Sequence, residues 1–369
     1  MTARETPPFR ADHVGSLLRP ATLLHARTEH AKGEIDAEGL RAVEDAAIRD
    51  VVRRQEDLGL KAVTDGEFRR AEWGRDFIFR LGGIREGAPT TTVGHTRDGR
   101  RTEYQGQGKR VTGKLTLNET IFGADFRFLA ATARGAMPKL ELPSPNMVHF
   151  RAELATDHYA DASAFRADLA EAYAEEIRRL AELGCRYLQL DDTVFAFLND
   201  PEWRRRVATS GGLPERQHET NIEVLNQALA GRPEGLTVAV HMCRGNFRSS
   251  WFTEGGYDYV AEATFGRLAV DAFFLEYDDV RAGGFAPLRY VPDDKVVVLG
   301  LVSTKTPELE PVDELKRRVD EAARYVPLER LCLSPQCGFA STVEGNALTA
   351  EQQWAKLDLV VRAASEIWR

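Results

Sequence analysis

The chain has 369 residues, 43% hydrophobic and 29% charged, enough to bury a large core in one big domain or two modest ones. A formal net charge of −8 argues against a nucleic-acid partner, and no apolar stretch approaches the length of a membrane span. The N-terminal MTARETPPFRADHVGS lacks the charged-then-apolar layout of a signal peptide. Four cysteines (Cys185, Cys243, Cys332 and Cys337) are too few for a disulfide framework, so a cytoplasmic protein with free thiols is expected.

Helical and strand-like segments alternate along the chain. Leu40, Val43, Ala47, Val51 and Leu58 share one helical face, ending at Gly59. Phe165, Leu169, Tyr173, Ile177 and Leu180 mark a second helix closed by Gly184. Val312, Leu315, Val319, Ala322 and Val326 mark a third, closed by Pro327. Eight short apolar runs are interleaved: Phe9–Val14, Leu60–Thr64, Lys139–Leu142, Tyr187–Leu190, Leu236–Val240, Ala272–Leu275, Lys295–Leu301 and Leu331–Ser334. Near-continuous apolar strands separated by amphipathic helices predict a parallel sheet buried on both faces. Eight units with polar residues at the strand ends predict a (β/α)8 TIM barrel, a single catalytic domain over residues 1–369. An open doubly wound sheet is the alternative, but no Gly-rich phosphate loop follows the first run. Residues 72–138 break the alternation. They are rich in Gly, Thr and Arg, with turn signals at Arg97-Asp98-Gly99 and Gly106-Gln107-Gly108 and a hairpin-like run at Arg110–Leu117. They read as a β-rich insertion after strand two, projecting over the barrel mouth or into a subunit interface.

The chemistry concentrates at strand ends. His241 and Cys243 are two apart, which on an extended segment places both side chains on one side. Glu276 ends the run Ala272–Leu275, and Cys337 follows Leu331–Ser334. In a barrel the fifth, sixth and eighth strands open on the same mouth, so imidazole, two thiols and a carboxylate converge as a ligand set suited to zinc. Taken singly, a His-x-Cys pair arises by chance and a carboxylate beside an apolar run is commonly an ion-pair partner. Cys185 and Cys332 stand at the starts of strand runs and read as core thiols.

His241-Met242-Cys243, Leu275-Glu276 and Pro335-Gln336-Cys337-Gly338 resemble the zinc site of cobalamin-independent methionine synthase, in its C-terminal catalytic barrel. The resemblance extends over nearly the whole chain, through His13-Val14-Gly15-Ser16, Asp65-Gly66-Glu67-Phe68 and Gln189-Leu190-Asp191-Asp192. It implies zinc-dependent S-methylation of homocysteine to methionine, with a small-molecule thiol and a methyl donor as substrates. By the same resemblance Glu67 and Asp191 bind the amino acid, and Val14-Gly15-Ser16 supplies a backbone and hydroxyl contact. A structural acid at a strand end is the alternative for Asp191, an ion pair with Arg69 or Arg70 for Glu67, and a turn or cap for Ser16. Trp73, Arg244, Asn246 and His149 are further candidates for the mouth.

Two positions depart from the family. Aligned through Gly300 and Pro307, Lys305 falls where a proton-donating histidine is expected, and is read as catalytic or else as a solvated loop lysine. Phe197 stands where the folate-using enzymes carry a glutamate, which makes it a donor-site candidate or plain packing. The chain also lacks the family's long N-terminal half. The donor is therefore left open among methyl-folate, a methyl group carried by a corrinoid protein, and another donor; a homo-oligomer is the other partner considered. Two rival readings remain. An epoxyalkane:coenzyme M transferase would keep zinc-thiolate chemistry but offer a sulfonate instead of an amine. A metal-free barrel like uroporphyrinogen decarboxylase would want a basic mouth and have no use for the ligand set.

Overall fold

A computed structural model describes residues 4–150, 152–154, 158–209 and 212–369. Its strands are β1 (Ala62–Val63), β2 (Gly82–His95), β3 (Arg101–Thr116), β4 (Met137–Pro138), β5 (Leu140–Pro143), β6 (Ala152–Leu154), β7 (Tyr187–Asp192), β8 (Thr237–Met242), β9 (Ala272–Glu276), β10 (Val296–Val302) and β11 (Leu331–Pro335). A six-stranded sheet runs in the order β11-β10-β9-β8-β7-β5, every pair parallel, and β1 pairs in parallel with β4.

The helices that separate these strands follow their apolar stripes. Asp36 caps the helix Ala37–Asp57 by accepting from the Gly39 amide, and Gly59 at φ +90° lets the chain turn into β1. Asp161 caps Ala162–Glu182 in the same way. The helix expected to run to Val326 stops at Ala322, although Val326 stays buried in the turn that follows.

Side-chain alternation assigns the two sheet faces. Val238 and Val240 of β8, and Phe273 and Leu275 of β9, join the large core that includes Leu169, Tyr173 and Ile177 of the helix Ala162–Glu182. Ala239, Ala272, Phe274, Val298 and Cys332 point the other way and pack with Phe9, Val14, Ala62 and Tyr187. Both faces are thus buried, as the continuous apolar runs require. The inner parity continues to Asp191, His241 and Glu276 at the strand ends.

Three expectations from the sequence are corrected. Phe9–Val14 is not a strand: it makes one parallel bridge, Ala11 to Leu333. The Asp12 carboxylate takes the amides of Phe9 and His13 for itself, diverting them from a ladder. Lys139–Leu142 is split, because Lys139 turns from β4 into β5 while its amide bonds Val63 O. The Gly106-Gln107-Gly108 turn signal lies inside β3. The hairpin instead reverses at 96–100, and Gly108 faces a register shift in β2 where a Cβ would approach Ala88 O to 2.5 Å.

The β2–β3 hairpin falls within residues 72–138, which also hold the helix Gly123–Thr132 and β4, and β6, beyond that stretch, adds to β3 in parallel. It is tied back by a two-way backbone pair between His95 and Trp251, by Tyr104 donating to Glu72, and by an ion pair of Arg97 with Asp279.

Candidate metal centre and substrate cavity

Strand β8 delivers His241, and the turn after it delivers Cys243; Glu276 ends β9, and Cys337 follows β11. One ligand atom from each of the four lies within 4.8 Å of the others, and all four residues are buried. The two sulfurs are 3.4 Å apart. A buried pair of thiols this close shares one proton. The hydrogen bond from Cys243, opposed by burial and aided by His241, holds the Cys337 thiol well below its ordinary range, while the same bond and burial push Cys243 up.

Among the described residues, both ring nitrogens of His241 and Oε2 of Glu276 have no hydrogen-bond partner although they are buried. Native interiors rarely leave such atoms unpaired, so a cluster of them around two thiols fits a cation with four soft-to-borderline ligands, which is the donor set zinc prefers. Other groups hold the ligands in place. The Arg244 amide donates to Glu276 Oε1 at 2.9 Å and the Gly245 amide to Cys243 Sγ at 3.3 Å. The fully buried Arg244 guanidinium bonds Glu276 O, Gly255 O and the Tyr257 hydroxyl, fixing the turn after β8 against the end of β9. Arg281 Nη2 stands 3.6 Å from Glu276 Oε2.

Three of the four border a cavity of about 240 Å³, which Glu276 does not line. His241, Cys243 and Cys337 line it together with Val14, Ser16, Glu67 and Asp191. Glu67, at φ +60°, gives Oε1 to Arg70 at 3.1 Å and leaves Oε2 buried without a partner. Burial, only partly offset by Arg70, pushes its carboxyl up to about 7. Asp191 accepts from Gln189 at 2.7 Å, and burial, countered by His241, raises it to about 6. Two desolvated carboxyls, one of them with an unpartnered oxygen, have the chemistry to accept a cation. Ser16 Oγ sits against Gly338, where a Cβ would approach it to 1.9 Å, and accepts weakly from the Ala340 amide.

Of the two readings of Lys305, the structure overturns one. It is 6% exposed, so it is not a solvated loop lysine. Its ammonium donates to Gly245 O, Asn246 Oδ1 and Ser250 O at 3.2, 3.0 and 3.1 Å, and it does not line the cavity. Phe197 does line it, stacked on Trp203 with ring centroids 4.4 Å apart. Trp73 and Asn246 reach the cavity, whereas Arg244 and His149 do not line it. Cys185 and Cys332 are buried away from the site, their thiols pushed up to about 12 by burial, as core cysteines should be. What sequence reasoning missed is the roof. Tyr104 and Lys109 of β3, with Phe247 and Phe252 of the loop after β8, close the cavity from segments whose spacing carries no such signal.

The chain is similar to known proteins over most of its length. The family profile "Cobalamin-independent synthase, Catalytic domain" matches residues 152–366, more than half of the chain. The Bacillus subtilis protein YxjG is 47% identical over 99% of this chain and 96% of its own length. Methionine synthase of Pyrococcus abyssi is 26% identical over 91% of this chain and 87% of its own. A solved structure assigned to a vitamin-B12-independent methionine synthase of Listeria monocytogenes superposes with TM-score 0.81 at 38% identity, covering 99% of this chain and 100% of that one. A B12-independent methionine synthase from Shewanella sp. W3-18-1, at 21% identity and TM-score 0.73, shares the fold over 97% of both chains. With a matching profile over the catalytic region and relatives aligned end to end, the chain belongs to the cobalamin-independent methionine synthase family.

Proposed function

We propose that the chain is a zinc-dependent homocysteine S-methyltransferase. The observation that carries this reading is the convergence of His241, Cys243, Glu276 and Cys337 within 4.8 Å, the first two and Cys337 lining a cavity shared with Ser16, Glu67 and Asp191. When bound by those four ligands, zinc supplies a low-pKa home for a thiol while its electron-rich ligands keep the sulfur nucleophilic. The chain's own residues do the rest. Glu67 and Asp191 take the substrate ammonium, which supplies the cation that Oε2 of Glu67 lacks. Ser16 and the backbone at Val14–Ser16 meet the carboxylate. Arg244 and Gly245 steady Glu276 and Cys243 through their amides, and the apolar roof keeps water from the reacting sulfur.

The same reading treats residues 1–369 as one catalytic domain in which the sheet closes as an eight-stranded barrel, with 72–138 as an insertion. Support comes from the Ala11–Leu333 bridge, the β1–β4 pairing and the single inner cluster shared by six strand segments. The four cysteines are free, which suits the reducing cytoplasm in which we place the enzyme. No helix among the described residues is long and apolar enough to cross a membrane. A coenzyme M transferase fits less well, because Glu67 and Asp191 would face a sulfonate. A tetracarboxylate decarboxylase would meet the same two acids. Elemental analysis with a methionine-formation assay tests the proposal: about one zinc per chain, lost together with turnover in Cys337→Ala, is expected. Full activity in a zinc-free preparation would overturn it.

A further inference from the structure

The cavity extends beyond the quartet, and its far walls have a distinct chemistry. The rings of Trp73, Tyr104, Phe197, Trp203, Phe247 and Phe252 all border it. Tyr104 packs against Phe247 and Phe252 at 5.3 and 5.7 Å between centroids, so the hairpin and the loop after β8 form one aromatic wall. Phe197 stacked on Trp203 forms another. Besides His241, the charged residues that line the cavity are three acids, Glu67, Glu72 and Asp191, and two bases, Arg75 and Lys109. Both bases are engaged: Arg75 pairs with Glu86, and Lys109 donates to Met147 O and Phe150 O. Glu72, by contrast, is a carboxylate in an aromatic setting, held by the Tyr104 hydroxyl. Aromatic faces joined to a carboxylate attract cations and repel polyanions.

We propose that the methyl donor of this site is a compact onium compound, a methylsulfonium whose positive charge lies in the aromatic end of the cavity beside Glu72 and Tyr104. The inference rests on the homocysteine methyltransferase reading and specifies the second substrate that reading leaves open. In the transfer the homocysteine thiolate sulfur forms a bond to the methyl carbon as the methyl–sulfonium bond breaks. The electron pair of that bond stays on the departing sulfur, and a neutral thioether leaves. No proton has to reach the leaving group. A folate amine would need one, and Lys305, at the position where the family resemblance expects a proton donor, spends its three N–H bonds on Gly245 O, Asn246 Oδ1 and Ser250 O and does not itself line the cavity. The aromatic end also holds the cation better than the neutral thioether product, which clears the site after transfer.

The test crosses zinc-loaded full-length protein and homocysteine with a methylsulfonium amino acid, a trimethylammonium betaine, methyltetrahydrofolate bearing one or three glutamates, and methylcobalamin. The sulfonium should show a kcat/KM at least tenfold above the others. Tyr104→Leu should raise the sulfonium KM about tenfold and leave the homocysteine KM unchanged. Preference for methyl-folate or methylcobalamin would overturn the inference. Binding is read separately from activity by titrating the fluorescence of Trp73 and Trp203 in the metal-free protein with trimethylsulfonium and with neutral tert-butanol. At least tenfold preference for the cation, abolished in Glu72→Gln, is expected, and equal binding of the two refutes the proposal. Calorimetry with homocysteine on the zinc-loaded protein separates the two levels: absent homocysteine binding removes the underlying reading, whereas intact binding without cation preference removes only this one.

Discussion

Replacing Lys305 by Met decides whether this lysine moves a proton or holds a loop. Its ammonium is buried and donates to Gly245 O, Asn246 Oδ1 and Ser250 O. Methionine is one atom shorter and removes the ammonium from three buried acceptors, of which Ser250 O keeps the Phe247 amide at 3.4 Å. Each unsatisfied group costs about 1–3 kcal/mol, and allowing for relaxation and the apolar packing of Met, a net loss of about 3 kcal/mol is expected. For 369 residues the unfolding entropy is about 0.8 kcal/mol/K, so the Tm should fall by about 4 °C. The loss is not confined to stability. Asn246 also donates to Gly338 O at 2.8 Å, and the Gly245 amide donates to Cys243 Sγ, so the freed loop borders two metal ligands. Zinc affinity should drop about 10- to 100-fold, the usual effect of removing a group that orients a ligand. Differential scanning calorimetry and competition with a chromogenic chelator measure both effects. Once zinc is saturating, the pH dependence of kcat should keep its wild-type shape. A variant with unchanged Tm and zinc affinity but a missing limb in that pH profile would refute the clasp and restore the proton donor.

Three further outcomes follow from the geometry. Glu67→Gln keeps the shape of the ammonium receptor but removes a charge, and should raise the homocysteine KM about 10- to 100-fold with little change in the donor KM, measured by initial rates. Gly338→Ala places a Cβ 1.9 Å from Ser16 Oγ and must displace that hydroxyl, so the homocysteine KM should rise about tenfold while circular dichroism stays native. His13 is 1% exposed, and burial, reinforced by Lys139, lowers it to about 4. Between pH 6.5 and 4 the unfolded chain therefore binds this proton and the folded chain does not, so stability is full above about 6.5 and is lost as pH falls. His13→Asn should remove about 1.4 kcal/mol per pH unit of that slope in urea titrations, and an unchanged slope would contradict the buried neutral imidazole.

The parallel sheet was legible because burial on both faces writes itself as continuous apolar runs, seven of which contain strands. The run at Phe9–Val14 was not, since the competing bonds of the Asp12 side chain leave no trace in apolar spacing. The metal quartet could be picked out because His, Cys and Glu in ligand-like combinations at strand ends are rare, and a strand's two-residue alternation fixes the face on which they point. Their convergence within 4.8 Å was a matter for the tertiary structure alone, as was the lack of hydrogen bonds to His241 and Glu276 Oε2 among the described residues. So was the roof. Tyr104, Phe247 and Phe252 come from two segments with no shared period, and only the docking of the β2–β3 hairpin on the loop after β8 brings their rings to one wall. Sequence alone determined the elements and the kinds of chemistry at their ends, because periodicity and side-chain type are local properties. Which groups meet, and which of them are already satisfied, depends on contacts between residues far apart in the chain. That is why Lys305 could be noticed in the sequence but its three acceptors could not.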